Sequence, residues 1–413
     1  MKSIRGALAL VLALMLFAGA GLAESFVELA DIDLSDLGDD GFLDSDYADE
    51  DFSDMIDAAP SNGGASGLRS ARIRAVGDLM VHKKQLEIAL QDDGAYDFHP
   101  QYALIAASLA DADYTIANLE TTVGQYKDKN YSGYPRFNAP ETLLETVRDA
   151  GVDFLTLANN HMLDRLGEGM AGTVDLVERY GFAHGGANRS QAEKDTPVVV
   201  DVNGIKLGFL CYTQMTNDME EKCTSKVVKF GINYLKKANF IKDVQRLRAA
   251  GAEVVIALPH WGSEYERQPG HTARSVAKKL VAAGVDIVLG SHPHVVQPIQ
   301  YIKAQGADGQ TRIGLVAYSL GNFISNMTER YTDSGIILDF TLREKAGGGF
   351  EVTDIGVVPL YCWNRDGMIQ TISSARYDLQ APEGMSKKTW ARMKESSREL
   401  RQLLDERIPF LLE

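Results

Sequence analysis

Three stretches of this chain repeat one form: a helix closing in Ala-Gly, an apolar β-run, then a cluster of side chains able to bind metal. Ala150-Gly151 leads through VDFLTLA to Asn159-Asn160-His161. Ala250-Gly251 leads through AEVVIALP to His260-Trp261-Gly262, and Ala283-Gly284 through VDIVLG to Ser291-His292-Pro293-His294. A Gly just past a helix supplies the left-handed position that ends it. The all-apolar runs predict strands covered on both faces, as in parallel sheets. In such sheets the functional crevice lies beyond the carboxyl ends of the strands. Imidazole and amide groups from three strands therefore meet at one rim, and packing alone does not call for that. The pattern points to a metal site.

Further strand ends join the rim. ARIRAV ends at Gly77-Asp78, DYTIA at Asn118-Leu119-Glu120, and TRIGLVAYSL at Gly321-Asn322-Phe323. The combined set holds two carboxylates (Asp78, Glu120), three amides (Asn118, Asn160, Asn322) and four imidazoles (His161, His260, His292, His294). Oxygen and nitrogen donors without thiolate suit Mn, Fe or Zn. The set is large enough for two divalent ions, with Glu120 able to bridge them; two-metal sites hold their ions about 3.5–4 Å apart. His292 and His294 alternate around Pro293 at a strand end, which predicts two imidazoles on one side. Asn118 and Asn322 fit a tight-turn role equally well. His99, His184 and His271 have no such company and are expected to be ordinary hydrogen-bonded side chains. His82 is expected to be structural or to face substrate.

Residues 1–23 carry Lys2 and Arg5, an apolar stretch and a Gly21-Leu22-Ala23 cleavage pattern, the marks of a signal peptide. An uncleaved N-terminal anchor is the other reading, since about 17 apolar residues can span a bilayer. Either way the chain is expected to be exported, to the extracellular face of the envelope. From Glu24 to Pro60 there are 14 Asp or Glu and no Lys or Arg, which accounts for nearly all of the formal charge of −15. Residues 24–66 are thus expected to form an extended acidic linker, ahead of a nearly balanced body. That balance excludes nucleic acid as a partner. Cys211 and Cys223 can pair and leave Cys362 free, or all three can be reduced.

The rim donors run from Asp78 to Asn322, so this interval folds as one unit, placed at residues 67–380. TDSGIILDFTLRE and GGGFEVTDIGVVPLYC, around Gly347-Gly348-Gly349, predict a hairpin in a second, mixed sheet. Ser386–Leu404 predicts an amphipathic helix within a C-terminal extension at residues 381–413. The fold class expected is α/β, a four-layer α/β/β/α sandwich.

The motifs Gly77-Asp78-Leu79-Met80, Asn118-Leu119-Glu120, Ala158-Asn159-Asn160-His161, His260-Trp261-Gly262-Ser263-Glu264, Gly290-Ser291-His292-Pro293-His294 and Ser319-Leu320-Gly321-Asn322-Phe323 resemble those of the CapA family, over roughly Arg72 to Asn364. That family is associated with poly-γ-glutamate capsule, and in turn resembles the calcineurin-like metallophosphoesterases, of metallo-dependent phosphatase fold. The resemblance implies Asp78, Glu120, Asn160, His260, His292 and His294 as ligands of a divalent metal pair. It implies an anionic polymer or phosphate-containing substrate, handled with a membrane-bound capsule synthesis complex. Three departures stand out: the nearest histidine to Asp78 is His82, four residues on; Glu120 sits where Asp is usual; and Asn159 replaces Gly.

His161, beside ligand Asn160, is then placed to protonate a leaving group, with Asp164 one turn later fixing its tautomer. Glu264 is the alternative acid. The polar loop Lys127–Arg136 supplies Arg136, suited to a carboxylate or phosphate, and Asn322 and Trp261 are further candidate substrate contacts. Trp261 serves equally well as rim packing. A non-catalytic assembly factor, or a phosphoesterase on nucleotides or sugar phosphates, are the other functions open to such a chain.

Fourteen carboxylates without basic neighbours are costly to bury. Deleting Glu24–Gly64 should therefore leave the melting temperature within a degree or two, measured by calorimetry. A larger drop would show that this stretch packs on the domain.

Overall fold

The computed structural model describes residues 67–125 and 130–412. The signal segment and the linker lie outside the described residues, as do Lys127, Asp128 and Lys129 of the polar loop. Strands are numbered in chain order. One sheet runs β16 (Gln370–Ser373), β15 (Phe350–Trp363), β14 (Ser334–Glu344), β1 (Ser70–Leu79), β2 (Tyr114–Leu119), β5 (Phe154–Thr156), β6 (Ala183–Gly185), and β13 (Asn322–Ile324) pairs with the end of β1. The other runs β11 (Ile299–Gln305), β12 (Thr311–Ala317), β10 (Ile287–Leu289), β9 (Val254–His260), β8 (Ile205–Thr213), β7 (Val198–Val202). The short β3 (Thr122–Val123) and β4 (Asn138–Ala139) pair apart from both.

The alternation of each strand puts two apolar faces to use. Ala71, Ile73 and Ala75 of β1 meet Ile205, Leu207 and Phe209 of β8 and Ile256 of β9 in a core between the sheets. On the outer face of the first sheet, Leu119 and Leu155 pack with Leu143 and Val147 of helix Thr142–Asp149 and Val174 of helix Leu166–Arg179. On the outer face of the second, Val255 and Val288 pack with Leu247 of helix Phe240–Ala249 and Leu280 of helix His271–Ala283. The result is the expected four-layer α/β/β/α sandwich. The C-terminal helix, Lys387–Leu403, starts at the cap Ser386 and adds Leu400 to the core between the sheets. No helix among the described residues is long and apolar enough to cross a membrane.

All three Ala-Gly endings behave as their sequence demands. Gly151, Gly251 and Gly284 have φ of +95°, +95° and +102°, each directly before a parallel strand. The three units do not share a sheet, however. The first feeds β5 of one sheet; the other two feed β9 and β10 of the other. The rim is therefore formed by two sheet edges facing each other across the core.

Two expectations need correction. The hairpin around Gly347–Gly349 joins the first sheet, with β14 antiparallel to β1 over Ser70–Val76, not a separate one. Asn322 is also not at the end of β12, which stops at Ala317. The chain crosses between the sheets through Leu320, whose N–H bonds to the Gly290 carbonyl and whose carbonyl accepts from Ile336. It then enters β13, opposite Asp78. The cause is a change of partner along β1: β14 pairs with it as far as Val76 and β13 from Asp78 onward.

Gly77 makes that exchange fit. The N–H of Asp78 donates to the Gly321 carbonyl at 3.0 Å, and a Cβ on Gly77 would lie 1.8 Å from that same oxygen. Gly77→Ala should cost about 1–3 kcal/mol of stability, as overpacking does, and should lower metal uptake by moving Asp78. Thermal melting and elemental analysis of the variant check this; wild-type values for both would rule the constraint out.

Candidate metal centre

Asp78 and Glu120 arrive on neighbouring parallel strands and are both fully buried. The Asn118 amide, between them in the sheet, donates to Asp78 Oδ1 at 2.8 Å and to Glu120 Oε2 at 3.3 Å. Its own Oδ1 accepts from Asn159, whose Nδ2 also donates to the Leu119 carbonyl at 2.7 Å. Asn118 and Asn159 thus hold the carboxylates in place.

From the facing sheet, His260 ends β9 with Nε2 3.0 Å from Asn160 Oδ1 and 3.6 Å from Glu120 Oε1. Its Nδ1 lies 2.9 Å from Ser291 Oγ. His294 has Nδ1 3.1 Å from Asn322 Oδ1 and 3.2 Å from Asp78 Oδ2, with Nε2 3.7 Å from Glu120 Oε1. His292 sits with its ring centroid 4.7 Å from that of His260 and 6.0 Å from that of His294. Strand alternation does not bring His292 and His294 together as expected. Both are in a turn with positive φ, +98° and +58°, a conformation that costs on the order of 1–3 kcal/mol and persists where the surroundings enforce it.

Burial governs the electrostatics. It pushes Glu120 well above the usual carboxylate range, with the neighbouring Asp78 charge adding to the effect. It holds His260 well below the usual imidazole value, and His292 at about 4, so both are neutral near pH 7. Burial also opposes protonation of His294, but the Asp78 carboxylate outweighs it and raises that group.

Three buried atoms in this cluster make no well-aligned hydrogen bond: Asp78 Oδ2, which has the ion contact with His294 Nδ1 at 3.2 Å, Glu120 Oε1 and His292 Nδ1. Buried polar atoms left unpaired are rare and costly. Ligand atoms of Asp78, Glu120 and His294 lie within 4.8 Å of one another, and so do those of Glu120, His260 and His292. The two groups share Glu120. Together they include all three residues that carry these atoms, and neutral imidazoles with carboxylates are the donors that Mn, Fe or Zn accept. The residues fit divalent metal. A third group joins His292 and His294 to exposed Glu264, on the outer side of the cluster.

Asn160 Oδ1 faces the same imidazole as Glu120. His161, next in sequence, is outside all three groups; its Nδ1 lies 2.8 Å from Asp164 Oδ2. That carboxylate also accepts the Phe137 N–H at 2.6 Å, and the Phe137 ring stands edge-on to His161, centroids 4.6 Å apart. His82 lies behind Phe137 and accepts the Asn326 N–H on Nδ1 at 3.2 Å, away from ligation. Among the candidate substrate contacts, exposed Arg136 adjoins Phe137 and remains available. Trp261 does not: it is fully buried and donates its indole N–H to the Tyr318 carbonyl at 2.9 Å. Asn322 is also buried, with Oδ1 on His294 and Nδ2 donating to the Thr332 carbonyl, so it orients an imidazole. Sequence reasoning left out the parts of Ser291 and Asn159; both stand inside the motifs, where only their neighbours drew notice. The three cysteines are free, Cys211 and Cys362 buried and Cys223 partly so.

Residues 72–327 match the bacterial capsule synthesis protein PGA_cap family. The chain belongs to it. Among curated relatives, the capsule biosynthesis protein CapA of Bacillus anthracis is 27% identical over 68% of this chain and 66% of its own length. The PGA biosynthesis protein CapA of Bacillus subtilis is 27% identical over 68% and 70%. This PGA_cap chain thus spans about two thirds of those relatives. Solved structures overlay loosely. The calcineurin-like phosphoesterase YfkN of Bacillus subtilis is 15% identical at a TM-score of 0.42, covering 81% of this chain and 99% of that one. The NAD nucleotidase of Haemophilus influenzae is 11% identical at 0.41, covering 82% and 64%. The four-layer arrangement rests on the sheets of this PGA_cap chain itself.

Protein saturated with Mn or Zn should hold one or two ions per chain by elemental analysis, and His292→Ala or His294→Ala should lose them because each removes a ligand of a small set. Wild-type protein that binds neither metal would end the metal assignment.

Proposed function

We propose that this chain is an exported, metal-dependent hydrolase or transferase acting at the outer face of the cell envelope on an acidic polymer of the poly-γ-glutamate kind or on its phosphate-linked carrier. The observation that carries it is the pair of three-ligand groups sharing Glu120, with the His161–Asp164 couple beside them. The family, and relatives named for capsule and PGA biosynthesis, supply the substrate class.

Asp78, Glu120, Asn160, His260, His292 and His294 would hold two divalent ions. Such ions polarise a phosphoryl or carbonyl oxygen and bring water's proton loss near neutral pH. The protein's own part is positional. Asp164 holds His161 through Nδ1 and leaves Nε2 to carry the proton given to the leaving group. Phe137 walls the ring on one side. Arg136 offers a planar cation to an incoming carboxylate or phosphate. Exposed Glu264 is the alternative proton donor.

The test separates ligand from acid. Metal-loaded protein should shorten or transfer poly-γ-glutamate, followed by size-exclusion chromatography. His161→Gln should keep its metal and lose at least about a hundredfold in rate, the scale of a general acid. Metal loss in His161→Gln equal to that in His260→Gln would overturn the acid assignment. A fully loaded wild type that leaves polymer and carrier unchanged would favour a binding or assembly factor.

A further inference from the structure

A cavity of about 450 Å³ lies between β6 of the first sheet and β8 of the second, walled by helix Phe240–Ala249 and the turn of helix at Gln191–Asp195. Its place follows from the topology. β6 neighbours β5, which leads to Asn160, and β8 neighbours β9, which ends in His260. The cavity is one strand outboard of the metal centre in both sheets. The two are also tied directly: a Cβ on Gly186, in the cavity wall, would meet the Cβ of Ala158 at 2.5 Å. The size is that of a ligand pocket, roughly 300–1,000 Å³.

Its charges are unevenly matched. Each carboxylate of the wall already has a partner. Glu178 and Glu193 accept from Arg189 at 2.7 and 2.9 Å, Asp195 from Arg246 at 3.0 Å, and Asp243 from the Tyr212 hydroxyl at 2.8 Å. The ammonium groups do not. Lys194 reaches the Lys229 and Ile232 carbonyls, both at 3.5 Å, and Lys237 the Val228 carbonyl at 3.2 Å and the face of the Tyr234 ring, 5.0 Å from its centroid. Among the described residues neither these two nor Lys242, which also lines the cavity, pairs with a carboxylate. Burial, with Lys237 close by, lowers the pKa of Lys194 against the upward pull of the Asp243 and Asp195 charges. His184 in the same wall has a buried Nδ1 without a partner.

We infer that this cavity is an anion subsite that takes a carboxylate-bearing segment of the polymer whose neighbouring segment lies at the metal centre, an inference that rests on the acidic-polymer function above. Ammonium groups on flexible stems are point charges that accept carboxylates arriving in varied orientations, whereas fixed bidentate recognition calls for Arg. A strand's width of separation places the two sites along one extended chain, so that the cavity sets which stretch of polymer the metal centre meets.

The test uses the full chain, metal-loaded, and a dye-labelled γ-linked glutamate oligomer, with binding read by fluorescence anisotropy at low and raised salt. Lys237→Gln and Lys242→Gln change exposed side chains, and Lys194→Gln the half-buried one. Each should weaken binding about tenfold, as loss of a charge-assisted contact does, and should flatten its salt dependence. Metal content should be unchanged. Wild-type binding retained within about twofold in all three variants, but lost in His292→Ala, would assign the polymer to the metal centre alone and overturn the subsite. A wild type that binds no oligomer would remove the acidic-polymer function and the subsite together.

Discussion

Asp78 and Glu120 are buried side by side, and the rest of the rim follows from what that requires. In the group they form with His294, ligand atoms lie within 4.8 Å of one another. Two negative charges at that spacing repel by roughly 3–4 kcal/mol at an effective dielectric near 20, and each has also left water. One amide, Asn118, can donate to both but leaves one oxygen of each without a well-aligned hydrogen bond. Asn118 brings no positive charge to the pair. The facing sheet brings His260 and the turn carrying His292 and His294. Burial keeps the first two neutral, so they serve as donors to a cation and not as counter-charges. The cluster is thus short of positive charge in the way that divalent ions would correct.

That need explains why the two sheets are knit together at this edge. Ser291 receives the Pro259 carbonyl through its N–H and gives its own carbonyl to Trp261, fastening the His292 turn to the end of β9. Leu320 bridges Gly290 and Ile336, from one sheet to the other. Three of the four imidazoles are then set by a neighbour: His260 by Ser291, His294 by Asn322, His161 by Asp164. Such partners fix tautomer and ring direction. Trp261, fully buried, fills the space behind this junction. Asp78 and His260 sit on strands, Glu120 follows one directly, and Asn160, His292 and His294 lie in turns held by hydrogen bonds to their neighbours.

Much of this was legible in the sequence. Ala-Gly closures, apolar runs and polar clusters are local signals, and each produced the element expected. Order along the chain also showed that Asp78 through Asn322 must converge. What could not be seen was which sheet each strand joins. An apolar run buried on both faces looks the same in either layer, so β5, β9 and β10 gave no sign of being divided between two sheets. The same blindness misplaced Asn322, since a crossing of four residues, Tyr318–Gly321, has no periodicity to mark it. Positive φ at His292 and His294 was hidden for a related reason: no Gly stands there to announce it, and the turn is enforced from outside. Trp261 misled because an aromatic beside a ligand suits a pocket and a packed junction equally well.

The division between two sheets has a consequence for how polymer can lie on the molecule. Were all the ligands on one sheet, the crevice would run along a single edge with helices on either side. With two sheets facing each other, strand ends of both border the metal centre, and one strand farther out both sheets border the cavity. That flank lies between β6 and β8, and its wall sets the ammonium groups of Lys194, Lys237 and Lys242 beside carboxylates that already have partners. On the other flank the first sheet turns antiparallel at β14 and the second at β11, beyond the parallel strands that carry ligands. Under the proposed function, a chain of carboxylates reaching toward the metal centre would meet the lysine side chains of that cavity on the β6 and β8 flank. A subsite on one flank would give a repetitive polymer a defined polarity, which identical subsites on both sides could not do.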